Sequence, residues 1–252
     1  MRHALITAGT KGLGKKVTEE FLLNGYSVTV NYRNDNGTIE KLKQEWKEYS
    51  DYVQFVKGDV TKKEDLKRLV TEAFQRFERI DVLILNAGPY IFERKKLVDY
   101  NDEEWEQMMN GNLNSAFHLL KAVIPIMRKQ QFGRIITYGF QEAGNAPGWL
   151  YRSGFAASKV GLVSLTKTIS IEEAENGITA NMVSPGKISG EMKEATIEQS
   201  TAVLDEETPV GRSGTGEDIA RAVLFLCDPK SGMITGTIME VTGGVDVLHQ
   251  FR

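Results

Sequence analysis

Short apolar runs alternate along this chain with longer segments in which apolar residues return every three or four positions. The short runs are rich in β-branched residues and predict strands, whereas the longer segments predict amphipathic helices. The seven predicted strands are residues 3–7, 28–32, 53–56, 82–85, 134–137, 178–183 and 237–241. Two helical segments open with polar runs, residues 61–64 and 101–104, whose side chains can accept from the first free backbone N–H groups.

The regular alternation of strands and helices predicts the fold class. Parallel strands need crossover connections, and right-handed crossovers place helices on both faces of the sheet. We therefore predict an α/β protein: a Rossmann-type, doubly wound sheet of seven mainly parallel strands flanked by helices. No linker-like segment divides the chain, so residues 1–252 are assigned to a single domain. Residues 186–212 are polar, irregular and long for a connection. This segment is therefore predicted to be a lid that covers the substrate, and not a linker.

The first predicted strand ends in a glycine-rich turn that runs directly into a helical segment. The turn reads Thr7-Ala8-Gly9-Thr10-Lys11-Gly12-Leu13-Gly14. In this setting, Gly12 and Gly14 allow the backbone and the helix N-terminus to approach a phosphate group. Glycines are also common in turns without a ligand, but the strand-turn-helix context favours a pyrophosphate site. We therefore predict that the chain is a dinucleotide-binding catalytic domain. The residues of this turn predicted to contact the cofactor are Gly9, Thr10, Lys11, Gly12, Leu13 and Gly14.

Composition narrows the range of partners. The chain has 41% hydrophobic and 26% charged residues and a formal net charge of -3. Acidic and basic residues are interspersed, so no basic stripe favours nucleic acid. No segment is long and apolar enough to span a bilayer, and the first residues lack the apolar stretch of a signal peptide. We therefore predict a cytoplasmic protein with a small-molecule substrate, and neither a nucleic-acid nor a membrane partner.

Residue types that often bind metals or form disulfides are sparse. Cys227 is the only cysteine and lies in an apolar helical run, so it is predicted to be a buried thiol in the core. His3, His118 and His249 show no spacing typical of a metal site or a catalytic pair. We expect no metal cofactor.

Further motifs follow the glycine turn in a distinctive order: Asp59-Val60, Asn86-Ala87-Gly88, Asn112, Lys159 and Ser184-Pro185-Gly186. With this order and spacing, the chain resembles the short-chain dehydrogenase/reductase family over nearly its whole length. Within that family it is most similar to the 3-oxoacyl carrier-protein reductases, whose pattern residues 209–212 and 241–244 also follow.

The resemblance implies cofactor-binding roles at the matching positions. The residues expected beside the adenine are Asp59 and Val60. The residues expected to support the ribose are Asn86, Ala87 and Gly88, and the residues expected against the nicotinamide are Pro185 and Gly186. Each motif also has a structural interpretation, because an aspartate after a strand often caps the next turn and Asn-Ala-Gly is common in loops. Ala8 and Leu85 stand where the family usually has glycine and asparagine. We expect neither to abolish binding, since alanine fits where φ is negative.

The charges after the second predicted strand favour NADP(H) over NAD(H). A cation there can accept the 2′-phosphate of NADP(H), whereas an acid would bind a free ribose hydroxyl. Arg33 follows this strand and Lys11 lies in the glycine turn. Asp35 is the counterargument, because it lies about twenty residues past Gly14, where a ribose-binding acid is expected. Asp35 can equally cap the next helix.

The resemblance also implies a reaction centre of four side chains, and two of them differ here. In the family, a serine and a tyrosine bind the substrate oxygen, a lysine four residues after the tyrosine grips the ribose, and an asparagine anchors a proton-relay water. Asn112 and Lys159 match this set. Phe140 and Phe155 stand at the serine and tyrosine positions, and a phenylalanine cannot donate a proton.

Tyr151 is the predicted replacement for the missing proton donor. It shares a helix face with Phe155 and Lys159 if the helix begins early enough, although it lies one turn, about 5.4 Å, further from the lysine. Tyr151 can equally pack in an apolar lid beside Trp149 and Leu150, because aromatic residues commonly serve packing.

Other assignments at the reaction centre also have alternatives. Tyr138 is predicted to be a packed side chain, and Glu142 and Tyr90 are weaker candidates than Tyr151. Lys159 can extend along its helix as a surface cation, and Asn112 can cap or kink its helix by bonding to the backbone.

Three functions remain open at this point. The first is an NADPH-dependent short-chain oxidoreductase that reduces a ketone or 3-oxoacyl thioester with an atypical active site. The second is a catalytically impaired NADP(H)-binding sensor or partner subunit, which Phe140 and Phe155 favour. The third is an enoyl-reductase-like activity, because those relatives place their tyrosine further ahead of the lysine, roughly as Tyr151 is. The resemblance also implies a homotetramer or homodimer built from the helices that carry Asn112 and Lys159.

Overall fold

The computed structural model describes residues 1–202 and 204–245, and its strands form one parallel sheet. The strand order is β3-β2-β1-β4-β5-β6-β7, and every neighbouring pair is parallel. The strands are β1 (His3–Ile6), β2 (Ser27–Tyr32), β3 (Val53–Lys57), β4 (Val82–Leu85), β5 (Gly133–Tyr138), β6 (Ile178–Pro185) and β7 (Ile238–Val241). The predicted Rossmann-type fold is confirmed. His249 lies outside the described residues.

Helices connect consecutive strands and cover both faces of the sheet. The α-helices are α1 (Gly12–Leu23), α2 (Thr38–Glu45), α3 (Lys63–Phe77), α4 (Asp102–Met109), α5 (Ser115–Gln130), α6 (Ser153–Glu172), α7 (Ile197–Thr201) and α8 (Gly216–Cys227). The π-helical turn Asn110–Asn114 joins α4 to α5. The shorter 3₁₀ turns are Lys47–Tyr49, Leu97–Asp99, Ala143–Asn145, Ala174–Asn176, Gly190–Lys193 and Pro229–Ser231.

Strand sequences of this kind suit a sheet that is buried on both faces. Successive side chains of a strand point to opposite faces, so a doubly covered strand is apolar throughout. In β1, Leu5 belongs to the core cluster beneath α3, α5 and α6, while Ala4 and Ile6 belong to the cluster beneath α1, α2 and α8. Cys227 is buried in the second cluster, as predicted, and burial raises the pKa of its thiol.

The order of the strands also creates the crevice in which a ligand can bind. Strand β1 pairs with β2 on one side and with β4 on the other, and β4 pairs with β5, so the connection after β1 and the connection after β4 run in opposite directions. In a doubly wound sheet, the carboxyl ends of the two strands at such a switch point leave a gap between the connecting loops. Here the glycine turn after β1 and the Asn86 to Gly88 loop after β4 border that gap.

The two predicted polar helix starts have different outcomes. Asn101 caps α4 in a capping box, in which its side chain accepts from Glu104 N and Glu104 accepts from Asn101 N. The prediction for residues 61–64 is wrong in detail, because α3 begins later and its N-cap is Lys62, without a side-chain cap. Thr61 instead donates its hydroxyl to Asp59, which closes a tight turn before the helix.

Candidate active site

A cleft of about 890 Å³ opens at the carboxyl ends of β1, β4, β5 and β6. It brings together residues from distant parts of the sequence. Its lining residues include Lys11, Gly12 and Leu13 of the glycine turn, Asn86, Ala87 and Gly88, then Tyr90, Asn112, Phe155, Lys159 and Pro185. The structure therefore gathers most of the predicted site residues around one space.

The glycine turn is packed so closely that side chains would not fit at two of its positions. A Cβ on Gly14 would overlap the carbonyl oxygen of Ala8 and lie 2.5 Å from Asn86 Nδ2. A Cβ on Gly9 would lie 2.6 Å from a methyl group of Val30. Because the backbone has no room to be displaced, these glycines set the path of the turn and the position of the N-terminus of α1.

The loop after β4 is tied to the glycine turn by side-chain hydrogen bonds. Asn86 Nδ2 donates to the carbonyl oxygens of Thr7 and Ala8 at 3.0 and 3.2 Å. The hydroxyl of Thr7 accepts from the backbone N–H of Ala87 at 2.9 Å. These contacts give Asn86 and Ala87 a structural role, because they hold the two loops in register across the gap.

The conformation expected for Ala8 is wrong, while its effect on cofactor binding stays a prediction. Its φ is 50°, in the left-handed region, whereas a negative φ was expected. A left-handed conformation costs a non-glycine residue about 1–2 kcal/mol, and the glycine that the family usually has here avoids that cost. The hydrogen bonds from Asn86 and from Gly9 N to Asn31 O hold the chain in this conformation.

A carboxylate occupies the N-terminus of α1. Glu194, which follows the 3₁₀ turn Gly190–Lys193, accepts a hydrogen bond from the backbone N–H of Gly12 at 2.6 Å. Its second oxygen lies 3.8 Å from Lys15 Nζ. An anion at a helix N-terminus is stabilised by the free N–H groups and by the helix dipole. Glu194 therefore sits where the predicted pyrophosphate group would bind.

A second hollow, of about 540 Å³, lies beyond the ends of β2 and β3. It is lined by Arg33, Asn34, Lys57, Gly58, Asp59, Lys62, Asp65 and Arg68. Asp35 does not line it; its carboxylate accepts from the backbone N–H of Ile39 at 3.2 Å, in the first turn of α2. Asp59 accepts from the N–H and the hydroxyl of Thr61. Asp59 therefore caps the turn after β3, which is the structural alternative to a contact with the adenine. Cations thus dominate the hollow that follows Arg33.

Asn112 forms the centre of the π-helical turn between α4 and α5. Its Nδ2 donates to the carbonyl oxygens of Met108 and Pro89, both at 3.0 Å. Asn112 therefore does distort its helix through backbone bonds, as the alternative interpretation held. Its Oδ1 is buried and has no hydrogen-bond partner among the described residues. A buried acceptor without a partner is costly, so it marks a place for a donor from a ligand or water.

Lys159 is buried in α6 without a compensating charge. Its side chain is only 4% exposed, and its Nζ makes no hydrogen bond or ion pair within residues 1–202 and 204–245. Burial lowers the pKa of Lys159 to about 8. A Cβ on Gly88 would overlap Asn112 Oδ1 and lie 3.5 Å from Lys159 Nζ, so these groups lie together. Lys159 is therefore not a surface cation that extends along its helix.

The positions expected to hold serine and tyrosine belong instead to a cluster of aromatic rings. This aromatic cluster comprises Tyr90, Phe92, Phe140, Trp149 and Phe155. Phe140 lies 5.0 Å from Trp149 and 6.2 Å from Phe155, measured between ring centroids. Tyr90 meets Phe155 edge-on at 4.9 Å. Tyr90 and Phe155 are the members of the cluster that line the cleft, so this side of it is largely aromatic, with the hydroxyl of Tyr90 as a polar group.

The structural premise for Tyr151 is wrong. Helix α6 begins at Ser153, and Tyr151 precedes it with a φ of 64°, so it does not share a helix face with Lys159. The guanidinium of Arg94 lies 4.7 Å from the centroid of the Tyr151 ring, and Tyr151 is absent from the lining of the cleft. A left-handed residue before the helix turns the chain away from the helical path, which the sequence pattern did not indicate.

The other weaker candidates lie in different surroundings. Tyr138 borders the cleft, but its hydroxyl is buried in the cluster that contains Cys227 and has no hydrogen-bond partner in residues 1–202 and 204–245. Burial raises the pKa of Tyr138 well above its usual range. Glu142 has a φ of 62° and lies outside the lining of the cleft. Tyr90 lines the cleft and is half-buried.

Two contacts at this site were not anticipated from the sequence. Arg152 Nε donates to the hydroxyl of Tyr90 at 2.5 Å, across 62 positions of the chain. Glu194 meets Gly12 across 182 positions. No local pattern pairs residues at such separations, because only the fold brings their segments together.

The described residues offer neither a grouped metal site nor a membrane-spanning helix. In residues 1–202 and 204–245, no three His, Cys, Asp or Glu side chains are grouped so that they could hold a metal ion. Among the described helices, none combines the length and apolar character needed to cross a membrane.

The parallel sheet, its switch point and the glycine turn define a Rossmann-type α/β protein. A family model described as "Enoyl-(Acyl carrier protein) reductase" matches residues 7–246. The chain belongs to this family, within the short-chain dehydrogenases/reductases, and is an oxidoreductase of that type.

Relatives of known name match nearly the full length of the chain. It is 66% identical over 251 residues to "Putative oxidoreductase YtkK" of Bacillus subtilis, covering 99% of this chain and 98% of that protein. It is 37% identical over 245 residues to the 3-oxoacyl-[acyl-carrier-protein] reductase FabG of Haemophilus influenzae, covering 96% and 97%.

Solved structures match equally completely. One, described as a "putative 3-oxoacyl-reductase from bacillus thuringiensis", has a TM-score of 0.95 at 64% identity and covers 99% of this chain and 100% of that one. A tyrosine-to-phenylalanine variant of ElxO with NADPH bound has a TM-score of 0.84 at 28% identity, covering 96% and 98%.

Proposed function

We propose that this protein is an NADPH-dependent reductase that acts on a ketone or a 3-oxoacyl thioester through an atypical active site. The observation that carries the proposal is the meeting of three features in one cleft: the glycine turn, the unpartnered Asn112 Oδ1 and the buried Lys159. The 3-oxoacyl reductases among its relatives support the substrate class. The NADPH-bound ElxO variant supports the cofactor.

The residues present fit a nicotinamide dinucleotide. Lys159 Nζ is a donor and Asn112 Oδ1 an acceptor, and neither has a hydrogen-bond partner among the described residues, so they can bind ribose hydroxyls or an ordered water. The glycine turn offers backbone N–H groups to the pyrophosphate, and Asn86 to Gly88 and Pro185 line the rest of the cleft. Gly186, which follows Pro185, lines a separate hollow. When bound, the cofactor supplies a hydride to the carbonyl carbon. The rings of Tyr90 and Phe155 offer an apolar surface to the substrate.

Activity with two thioesters tests the proposal directly. NADPH oxidation is measured with a short 3-oxoacyl thioester and, separately, with the matching 2-enoyl thioester. Oxidation with the 3-oxoacyl compound alone is the expected result. Oxidation with the enoyl compound alone would establish the enoyl-reductase alternative. Binding of NADPH, seen by its fluorescence, without oxidation by either compound would contradict the proposal and support a sensor or partner subunit.

Arg33 is expected to select NADPH over NADH. Because Arg33, Lys57, Lys62 and Arg68 line the second hollow and Asp35 is engaged by α2, the 2′-phosphate is expected to bind among these cations. Arg33→Ala should weaken NADPH binding about tenfold, the effect of one lost charged hydrogen bond, and leave NADH binding unchanged. Fluorescence titration with both cofactors measures this. Lys41→Ala, an exposed cation on α2, is the control, and equal loss for both cofactors would refute the assignment.

Glu194 is expected to compete with the cofactor for the N-terminus of α1. Glu194→Gln removes a negative charge that now accepts from Gly12 N, so NADPH should bind roughly two- to fivefold more tightly. Glu191→Gln is the matched control, because Glu191 lines the same cleft without contacting Gly12. Unchanged affinity in the Glu194 variant would show that the carboxylate does not oppose phosphate binding.

The remaining parts of the proposal concern the surroundings of the site. We propose that residues 186–212 form a lid, since this segment carries Glu194 into the cleft mouth.

We also propose a cytoplasmic homotetramer or homodimer, assembled through the helices that carry Asn112 and Lys159. The ring of Phe117 on α5 is 47% exposed, which favours such a contact. Sedimentation at two protein concentrations tests the assembly.

A further inference from the structure

We propose that Tyr90, paired with Arg152, donates the proton to the substrate oxygen in place of the residues that Phe140 and Phe155 replace. This inference rests on the reductase activity proposed above. It assigns the proton donor to a loop after β4, whereas the family resemblance places that donor on α6.

The first support is the position of Tyr90. It lies two residues after Gly88 and lines the cleft together with Asn112 and Lys159. Its ring meets Phe155 edge-on at 4.9 Å, and Phe155 lies one helical turn before Lys159. The Lys159 Nζ is 5.6 Å from the centroid of the Phe155 ring. Tyr90 therefore borders the part of the cleft in which the resemblance places the proton donor.

The second support is the geometry of the pair. Arg152 Nε donates to Tyr90 Oη at 2.5 Å, and its guanidinium carbon lies 5.0 Å from the Tyr90 ring centroid. The other guanidinium nitrogens donate to the carbonyl oxygens of Phe92, Glu93 and Tyr151, so the cation is fixed in place. Because Tyr90 Oη accepts from Arg152, its own hydrogen is free for another acceptor. No acceptor for it is found among the described residues.

The third support is the chemistry of a phenol beside a fixed cation. When hydride adds to the carbonyl carbon, the electron pair of the C=O bond moves to the oxygen. That oxygen takes the proton of Tyr90 Oη, so the O–H bond of the phenol breaks and the O–H bond of the alcohol forms. The phenolate left behind is stabilised by the charged hydrogen bond from Arg152 and regains a proton from solvent. NADPH is the reductant, and the products are an alcohol and NADP⁺.

The other two tyrosines near the site are less suited to this step. The hydroxyl of Tyr138 is buried in the cluster that contains Cys227, on the opposite face of the sheet from Phe140. Tyr151 lies under Arg94, outside the cleft lining. Tyr151 therefore offers a matched control, since it too is a tyrosine held by an arginine.

The test compares Tyr90→Phe, Tyr151→Phe and the double variant Tyr90→Phe with Phe155→Tyr. For each, kcat and KM with a short 3-oxoacyl thioester are measured, together with the Kd for NADPH and the melting temperature. Tyr90→Phe should lower kcat by about 10²- to 10⁴-fold, the usual effect of losing a general acid. Its KM, its Kd for NADPH and its melting temperature should stay close to wild type, and Tyr151→Phe should resemble wild type throughout.

The double variant provides a rescue that a purely structural role would not show. It restores a phenol one turn before Lys159, so kcat should recover at least tenfold over Tyr90→Phe. A Tyr90→Phe enzyme that keeps its kcat, or whose defect is confined to KM and the melting temperature, would overturn this inference alone. A wild-type protein that binds NADPH but reduces no ketone would overturn the proposed function and the inference together.

Discussion

Lys159→Met is expected to make the free protein more stable by about 3 kcal/mol at pH 7 while it weakens cofactor binding. Burial lowers the pKa of Lys159 from 10.5 to about 8, so the folded state holds this charge at a cost. Methionine has a similar length and no charge, so it removes the cost. For a chain of this size, a gain of about 3 kcal/mol corresponds to a melting temperature roughly 6–12 °C higher.

The stability gain of Lys159→Met should depend on pH in a defined direction. Between pH 8 and 10.5 the unfolded chain binds more protons at Lys159 than the folded chain does. Wild-type stability therefore rises with pH across this window, and the advantage of the variant is full below about pH 8 and vanishes above about pH 10.5. Denaturant unfolding at pH 7, 9 and 10.5 measures this.

The functional effect of Lys159→Met should be opposite in sign. Without Nζ beside Asn112 Oδ1, the cleft loses the cation proposed to bind the ribose, and NADPH affinity should fall at least about tenfold. Lys167→Met, an exposed lysine on the same helix, is the control and should change neither quantity. A Lys159 variant that is less stable than wild type, or that binds NADPH normally, would contradict the account of a strained binding residue.

Gly14→Ala is expected to lower NADPH affinity more than tenfold. The added Cβ would overlap the carbonyl oxygen of Ala8 and lie 2.5 Å from Asn86 Nδ2. The obstacle at Ala8 is backbone, so the turn must move, and the N–H groups at the N-terminus of α1 would leave their positions. Overpacking of this kind also lowers stability by about 1–3 kcal/mol.

A second glycine serves as the control for Gly14. A Cβ on Gly148 would meet nothing within 4 Å, so Gly148→Ala should leave both cofactor affinity and stability unchanged. The two variants are compared by fluorescence titration with NADPH and by thermal unfolding. Normal NADPH affinity in Gly14→Ala would mean that the close packing of this turn does not form the phosphate site.

The sheet could be predicted well from the sequence because its signals are local. Every strand of β1 to β7 was expected within one or two residues at each end, since each is an apolar run bounded by polar segments. The glycine turn was equally clear. The C-terminal end of β6 was predicted less well, because Ser184 and Pro185 continue the strand only through pairing with Glu240 and Val241. Strand ends of this kind depend on a partner far away in the sequence.

The reaction centre could be predicted only in part, because its decisive contacts are long-range. The positions of Asn112, Lys159, Phe140 and Phe155 follow from motif spacing. The left-handed conformations of Ala8 and Tyr151 do not, because each is imposed by surrounding loops on a residue that does not favour it. The start of α6 at Ser153 depends on the left-handed conformation of Tyr151. The sequence therefore pointed to Tyr151, whereas we propose Tyr90 as the proton donor.

The most direct test of hydride transfer to a carbonyl uses NADPH that carries two deuterium atoms, one on each face, at the reactive carbon of its nicotinamide ring. The protein is incubated with this cofactor and a short 3-oxoacyl thioester, and the product is analysed by mass spectrometry. We expect a 3-hydroxyacyl thioester with one deuterium on the former carbonyl carbon. NADPH that binds yet keeps its deuterium in the presence of the thioester would contradict it.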